Sequence, residues 1–479
     1  MRVTRFFAGL ALAALLASCG SSGGDPVSDD ERRAGAAQHP QLLAEFGGAY
    51  AGDEAAYLTN LGNKVARAAD LEGRCTFTLV NSDVVNAFAV PGCFIYVTRG
   101  LLAIVNSEAE LAAVLAHEVG HIAADHSEEQ QKRSVWRSLG VLAIGAITGS
   151  DELTRLAGGA AQFFTLRYSR KHEYEADDLG LGYMGKLGYD PYAAADMLQS
   201  LQRHKAYQAG IRGRDEARSI PEWALTHPLT ERRIERATEA AAALGVKPNE
   251  LPENELAYLR SVDGLLYGDD PEQGFVLGRR FAHPVMRIGF EAPAGFTLTN
   301  SPQAIMIEGP DGLRGEFAGG PVPAGGLAAY AEALLGRTLG QAPFTVTSSA
   351  PAATNGGPAL FVAGMVQTNQ GTVPVSLAVY AAPDGGAYHF LLVSRPGGQA
   401  QGAVAELFRS FRFLTPAEIA ALRPRRIRVV RADAPLSAAA LAARSPAADS
   451  PAHVLMLNGL APNAALRPGQ LAKVIEWAN

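Results

Sequence analysis

LAAVLAHEVGHIAADH, residues 111–126, sets two histidines four apart inside an alanine-rich apolar stretch, with a glutamate directly after the first. On an α-helix, positions i and i+4 share a face, so His117 and His121 can turn two imidazoles toward one ion. Glu118 lies about 100° further round the axis, close enough to reach a metal-activated water without being a ligand, as a general base must. This is the HExxH pattern, and chance supplies one in a chain of this length in roughly one case in a hundred. A solvated helix face is a poor alternative, because Ala, Val and Leu surround the triplet and buried imidazoles need partners. Ser107 with Glu110 three residues on makes a capping box, and Leu111, Val114, Leu115 and Ile122 form an apolar stripe. The stretch therefore reads as a capped helix.

A catalytic zinc site needs a third protein ligand and keeps one position open. YSRKHEYEADDLG, residues 168–180, offers candidates on a second helical pattern. Glu173 and Asp177 are four apart and share a face; one can bind zinc while the other accepts a hydrogen bond from a ligating imidazole. Glu175 and Asp178 read as solvated charges, and His126, His172 and His204 as structural or solvated. This helix should end at KLGYDP, with Gly188 in the left-handed cap and Asp190 and Pro191 starting the next.

With 479 residues, 48% hydrophobic and 19% charged, the chain predicts several folded domains. A net charge of −6 gives no footprint for nucleic acid, so no nucleic-acid partner is expected. MRVTRFFAGLALAALLASC at the start has two arginines, an apolar run and small residues, which reads as a signal peptide over residues 1–18. Leu16, Ala17, Ser18 and Cys19 resemble a bacterial lipobox, implying lipidation at Cys19. Residues 19–38 read as a flexible tether. By analogy with Gram-negative sorting, Gly20 points to the outer membrane. Cys75 and Cys93 flank a strand, turn, strand region, and either pair or stay as two buried thiols. VLAIGAITG at 141–149 is too short to span a bilayer and reads as a core or interfacial segment.

HEVGH, then SRKHEYEAD, then THPLTERRI together resemble the zinc metallopeptidase family of the CAAX prenyl endopeptidase and HtpX, over roughly residues 39–244. The resemblance is closest to that family's exported bacterial members, which act in periplasmic protein quality control. NAFAVPG, with Asn86, Ala87 and Phe88, and TRGLL, with Gly100, agree with it. The resemblance implies one zinc ion held by His117, His121 and Glu173, with Glu118 as base. It also makes Asp177 the acid behind a ligand and matches Arg233 to the arginine of THPLTERRI. His227 matches a histidine that approaches the metal or stabilises the tetrahedral intermediate. The strand at residues 86–88 would take an extended substrate along its edge.

The expected architecture is a mainly α zincin-type metallopeptidase domain with a small β region (39–248), then an α+β domain (249–415), then a small βααβ module (424–479). The second unit's pattern resembles PsbP-like domains. In the third, VLMLNGLAPNAALRPGQLAKVI resembles the second half of a LysM module, while Ala432, Asp433 and Ala434 replace its usual Gly, Asp, Thr turn. The functional expectation is a lipid-anchored, periplasm-facing zinc endopeptidase for unfolded or misassembled polypeptides, with peptidoglycan as a further candidate partner. The competing expectation is a non-catalytic or chaperone-like envelope scaffold.

Overall fold

The computed structural model describes residues 27–126, 168–212, 227–228, 231–340, 342–368, 371–395 and 401–478. The signal peptide, Cys19, residues 20–26 of the tether and the apolar segment 141–149 lie outside the described residues. Among those described, no helix is long and apolar enough to cross a membrane.

Residues 29–38, expected as tether, instead open helix α1 (Asp29–Glu45). Ser28 caps the Glu31 amide while the Glu31 carboxylate accepts from the Ser28 amide, and three acidic residues line the first turn. Gly35 lets the helix settle on the chain beyond it: a Cβ there would stand 2.5 Å from the Pro91 carbonyl oxygen. A polar stretch reads as a tether by composition, but the acids within it stabilise a helix start.

Helix α2 (Asp53–Ala68) precedes a small sheet of β1 (Thr76–Val80), β2 (Ala87–Val90) and β3 (Phe94–Thr98). The order is β1-β3-β2, with β1 parallel and β2 antiparallel to β3, so β2 is an edge. Cys75 and Cys93 are disulfide-bonded across this region. Helices α3 (Arg99–Ile104), α4 (Glu108–Ala123), α5 (Arg170–Leu187), α6 (Ala193–Arg212) and α7 (Glu231–Ala243) complete the helical part. Helix α4 is buried on every side from Glu108 to Ile122, enclosed by α2, α5, α6 and β2. Its cap differs from the expected box in one bond. Ser107 Oγ accepts from the Glu110 amide at 3.1 Å, but the Glu110 carboxylate accepts from Asn106 N at 3.1 Å and from Ser200 Oγ of α6 at 3.2 Å. Helix α5 ends as expected, with Gly188 at φ 74°.

The boundary near residue 250 shifts. Helix α8 (Glu255–Ser261) and β4 (Leu266–Tyr267) belong to the first core, because Tyr258, Leu259, Val262 and Leu265 pack with the residues of α3 and α4. A large antiparallel sheet follows, ordered β11-β12-β13-β14-β10-β9-β8. Its strands are β8 (Thr297–Asn300), β9 (Ile305–Glu308), β10 (Arg314–Pro321), β11 (Phe344–Thr354), β12 (Gly357–Thr368), β13 (Gly371–Ala381) and β14 (Gly386–Val393). Alternation along β13 sends Leu377 and Val379 to helix α9 (Gly326–Leu339) and Ala378 and Tyr380 to the opposite core. That second core holds helix α10 (Gln401–Ser410) and the small sheet of β5 (Phe275–Leu277), β6 (Arg280–His283), β7 (Ile288–Glu291) and β15 (Arg412–Phe413). Helix α11 (Pro416–Ala420) leads out of it.

The C-terminal unit is β16 (Arg425–Arg431), β17 (Leu436–Ser437), α12 (Ala438–Ala443), α13 (Pro451–Leu457), β18 (Ala465–Leu466) and β19 (Leu471–Trp477). Strands β16 and β19 pair antiparallel around the two helices, and β4 joins β16 as a third strand. The unit is not separate from the first core. Ala472 and Val474 fill the unit's own interior, while Ile475, with Ile427, Met456 and Leu457, packs into the helical region's core. Lys473 is fully buried there and donates to the carbonyls of Ala103 (2.8 Å) and Val105 (2.7 Å), just ahead of α4.

Candidate metal centre

Helix α4 presents His117 and His121 on the face that meets α5, and glycine sets how closely the two helices cross. A Cβ on Gly120 would stand 2.9 Å from the Ala176 carbonyl oxygen, and one on Gly180 3.2 Å from His117 N. This close crossing brings Glu173 and Asp177 of α5 to the two imidazoles. His227, from the segment before α7, supplies a third ring. His117, His121, Glu173 and His227 each offer a donor atom within 4.8 Å of the others, and all four are buried.

The donor spacing can be tested against an ion. With Zn–N and Zn–O near 2.0–2.2 Å, the edge of a tetrahedral site is about 3.4 Å. His117 Nε2 lies 3.1 Å from His121 Nε2 and 3.2 Å from His227 Nδ1. Glu173 Oε1 lies 3.0 Å from His227 Nδ1 and 3.5 Å from His121 Nε2. These are tetrahedral edges. Charge agrees: with neutral histidines, Glu118, Glu173 and Asp177 against Arg233 leave two negative charges in a buried site, the complement of a dication. The residues present fit zinc.

Behind the donors, His117 Nδ1 meets Asp177 Oδ1 at 2.9 Å. Arg233 grips Asp177 with two bonds, Nε to Oδ2 at 2.9 Å and Nη2 to Oδ1 at 2.7 Å, and donates Nη1 to Glu173 Oε2 at 2.7 Å. Burial opposes the charge on Glu173, but His227 and Arg233 outweigh it and hold its carboxyl well below the usual value. Burial likewise opposes ionisation of Asp177, and Arg233 and His117 overcome it, holding this group at about 2. Burial keeps His121 neutral, well below the ordinary imidazole value, as a ligand must be. Glu118 is buried, and its Oε1 lies 3.5 Å from His227 Nε2. Glu118, Asp177 and Arg233 lie beside the four donors, and a ring nitrogen of His227 is one of those four.

Asn86, Ala87 and Phe88 lie at the start of edge strand β2. Among the described residues neither polar atom of the buried Asn86 amide has a hydrogen-bond partner, and Phe88 stacks on Tyr96 at 4.9 Å. Tyr168 lies flat on His121, ring centroids 3.8 Å apart, and forms a wall of the site; nothing in the sequence marks that tyrosine beyond its place before the Ser169 cap. Of the two readings left open for His126 and His172, structural or solvated, the structure has the first: both are buried and stacked on each other at 4.4 Å.

Residues 53–241 match the profile described as Peptidase family M48. The "Beta-barrel assembly-enhancing protease" of Yersinia pestis is 31% identical over 267 residues, 53% of this chain and 53% of that protein. The "Protease HtpX homolog" of Pyrococcus abyssi is 29% identical over 227 residues, 40% of this chain and 76% of that one. The chain thus spans about half the length of its Yersinia relative. Among solved structures, a cyanobacterial PsbP from Synechocystis aligns with 29% of this chain and 98% of its own at 14% identity and TM-score 0.23, too low a score to argue from.

Proposed function

With the match to Peptidase family M48 as premise, we propose that the chain is a lipid-anchored, periplasm-facing zinc endopeptidase that cleaves unfolded or misassembled envelope polypeptides. The observation that carries the reading is the buried set His117, His121, Glu173 and His227 with Glu118 beside it. The name of the Yersinia relative supports the substrate class, and the lipobox reading of Cys19 supports the anchor.

His117, His121 and Glu173 would hold the ion, and the Asp177–Arg233 pair fixes two of them from behind. Bound zinc supplies Lewis-acid polarisation of the scissile carbonyl and acidifies water near it. Glu118 takes the proton of the attacking water and delivers it to the leaving amine. His227 would fill the fourth position and would have to swing aside to admit substrate; its ring could then donate to the developing oxyanion. The buried Asn86 amide at the edge of β2 is suited to bind the backbone of an extended peptide, which favours unfolded chains. The C-terminal βααβ unit is read as a LysM-like module, with peptidoglycan as its candidate ligand.

The test is casein digestion by the purified chain with and without chelator, beside Glu118→Gln. Loss of the base lowers the rate about 10²–10⁴-fold, with zinc content unchanged. Equal digestion by wild type and variant refutes the proteolytic role of Glu118, and absence of digestion by zinc-loaded wild type favours the scaffold reading. Radiolabelled-lipid incorporation lost in Cys19→Ala, with recovery in the outer-membrane fraction, checks the anchor.

A further inference from the structure

The two histidines of α4 are oriented by different means. His117 Nδ1 rests directly on Asp177. His121 Nδ1 faces a second imidazole instead: His126 Nδ1 stands 3.0 Å away. The other nitrogen of that ring, His126 Nε2, lies 3.5 Å from Glu175 Oε2. We propose that His126 is a positioning residue for His121, an imidazole arm that parallels the Asp177 contact of His117, with the half-exposed Glu175 carboxylate only an outer neighbour of its far nitrogen. The inference rests on the zinc reading above.

Backbone geometry brings His126 into place. Helix α4 ends at Ala123, and five residues on from His121 an uninterrupted helix would point away from it, by about 140° round the axis. Asp125 adopts φ 52°, a left-handed conformation that reverses the chain and returns His126 to the rear of His121. His172, one residue before Glu173, stacks on the His126 ring at an interplanar angle of 14° and fixes its plane. The arm is thus held by both helices that carry the donors.

Proton placement then follows from ligation alone. His121 faces the other donors through Nε2, so a neutral ring carries its proton on Nδ1 and donates it to His126 Nδ1. His126 must therefore be the acceptor at Nδ1 and carry its own proton on Nε2, the atom that faces Glu175. The reverse tautomer of His126 would force the His121 proton onto the metal-facing nitrogen. Glu175, by sequence a solvated charge, is 49% exposed at its side chain, yet one oxygen reaches inward.

The experiment measures zinc affinity of the full chain by competition with a chromogenic chelator, for wild type, His126→Leu, His126→Gln, Glu175→Ala and Asp177→Ala. Removing an outer partner of a ligating histidine costs about 10–100-fold in metal affinity. His126→Leu is expected in that range beside Asp177→Ala. His126→Gln, whose amide oxygen can still accept, should recover most of the loss. Glu175→Ala should cost no more than about threefold, because water replaces an exposed carboxylate. Long-range proton–nitrogen NMR of zinc-loaded wild type gives an independent reading that needs no variant: His126 protonated on Nε2. A His126→Leu affinity within twofold of wild type, or His126 protonated on Nδ1, overturns the proposal. Wild type that binds no zinc overturns the metallopeptidase reading itself, a distinguishable result.

Discussion

Arg233→Leu tests the electrostatic frame of the site. The guanidinium is 1% exposed and makes three charge-assisted bonds to two carboxylates, the buried Glu173 and the partly buried Asp177. Asp177 moves from 3.8 to about 2 largely because this arginine outweighs its burial. At about 1.36 kcal/mol per pH unit, that displacement is worth roughly 2 kcal/mol. The bond to Glu173 adds about 1.5–3 kcal/mol, and the sum agrees with the ~3–5 kcal/mol typical of breaking a buried ion pair. For a region of roughly 150–250 residues, each kcal/mol lowers the melting temperature by about 2–4 °C, so the variant should melt ~6–20 °C below wild type. The pH dependence has a definite sign. A folded value below the unfolded one stabilises fully above pH 3.8 and is lost as pH falls through about 2. The deficit of the variant should therefore be complete at neutral pH and shrink in strong acid. Calorimetry of chelator-treated protein measures it, since bound zinc would compensate Glu173. A metal-free Arg233→Leu melting within 2 °C of wild type, on the same ~2–4 °C per kcal/mol scale, refutes the assigned frame.

Three further outcomes are expected. His227→Ala should bind a small hydroxamate more tightly than wild type, because the ring competes for the fourth position; equal or weaker binding in an inhibition assay places the ring elsewhere. Cys93→Ala, which opens a bridge of sequence separation 18, should lose about 3 kcal/mol, and wild type in reductant should melt at the same lowered temperature. Burial pushes Lys473 down to about 7 and Glu110 up to about 7. A raised carboxyl costs stability as pH climbs from 4.5 to 7, and a lowered ammonium returns it between 7 and 10.5. Lys473→Met removes the second effect and the cation that restrains Glu110, so its denaturation deficit should widen from pH 6 to pH 9; a constant gap contradicts the electrostatic influence of each group on the other.

The ligands were legible because the chemistry imposes spacing. Two imidazoles must be one turn apart on α4, and a ligand and its supporting acid one turn apart on α5. The glycines of HEVGH and ADDLG mark the close crossing that joins the two helices, a signal visible in the sequence whose purpose appears only in three dimensions. His126 was harder to read. Helical periodicity assigns it away from His121, and the left-handed turn at Asp125 reverses that assignment. The helix at residues 29–38 was hidden for a related reason: Asp, Glu and Ser favour a tether by composition but a helix start by position.

Unit boundaries were the least legible, because they depend on contacts that no local pattern records. Lys473 looks like an ordinary strand lysine, yet it lies buried with its ammonium on the carbonyls of Ala103 and Val105, some 370 positions earlier in the chain. Those carbonyls close α3 and precede the Ser107 cap of α4, while Ile427, Leu457 and Ile475 seal the same core. Deleting the C-terminal unit would leave two buried carbonyls without their donor and expose apolar surface beside the helix that carries His117 and His121. A truncation thus cannot separate any binding role of residues 424–479 from their role in holding α4. Surface substitutions on the outward side of that unit, such as Arg467 and Arg444, which are exposed, leave this packing intact and isolate the binding role.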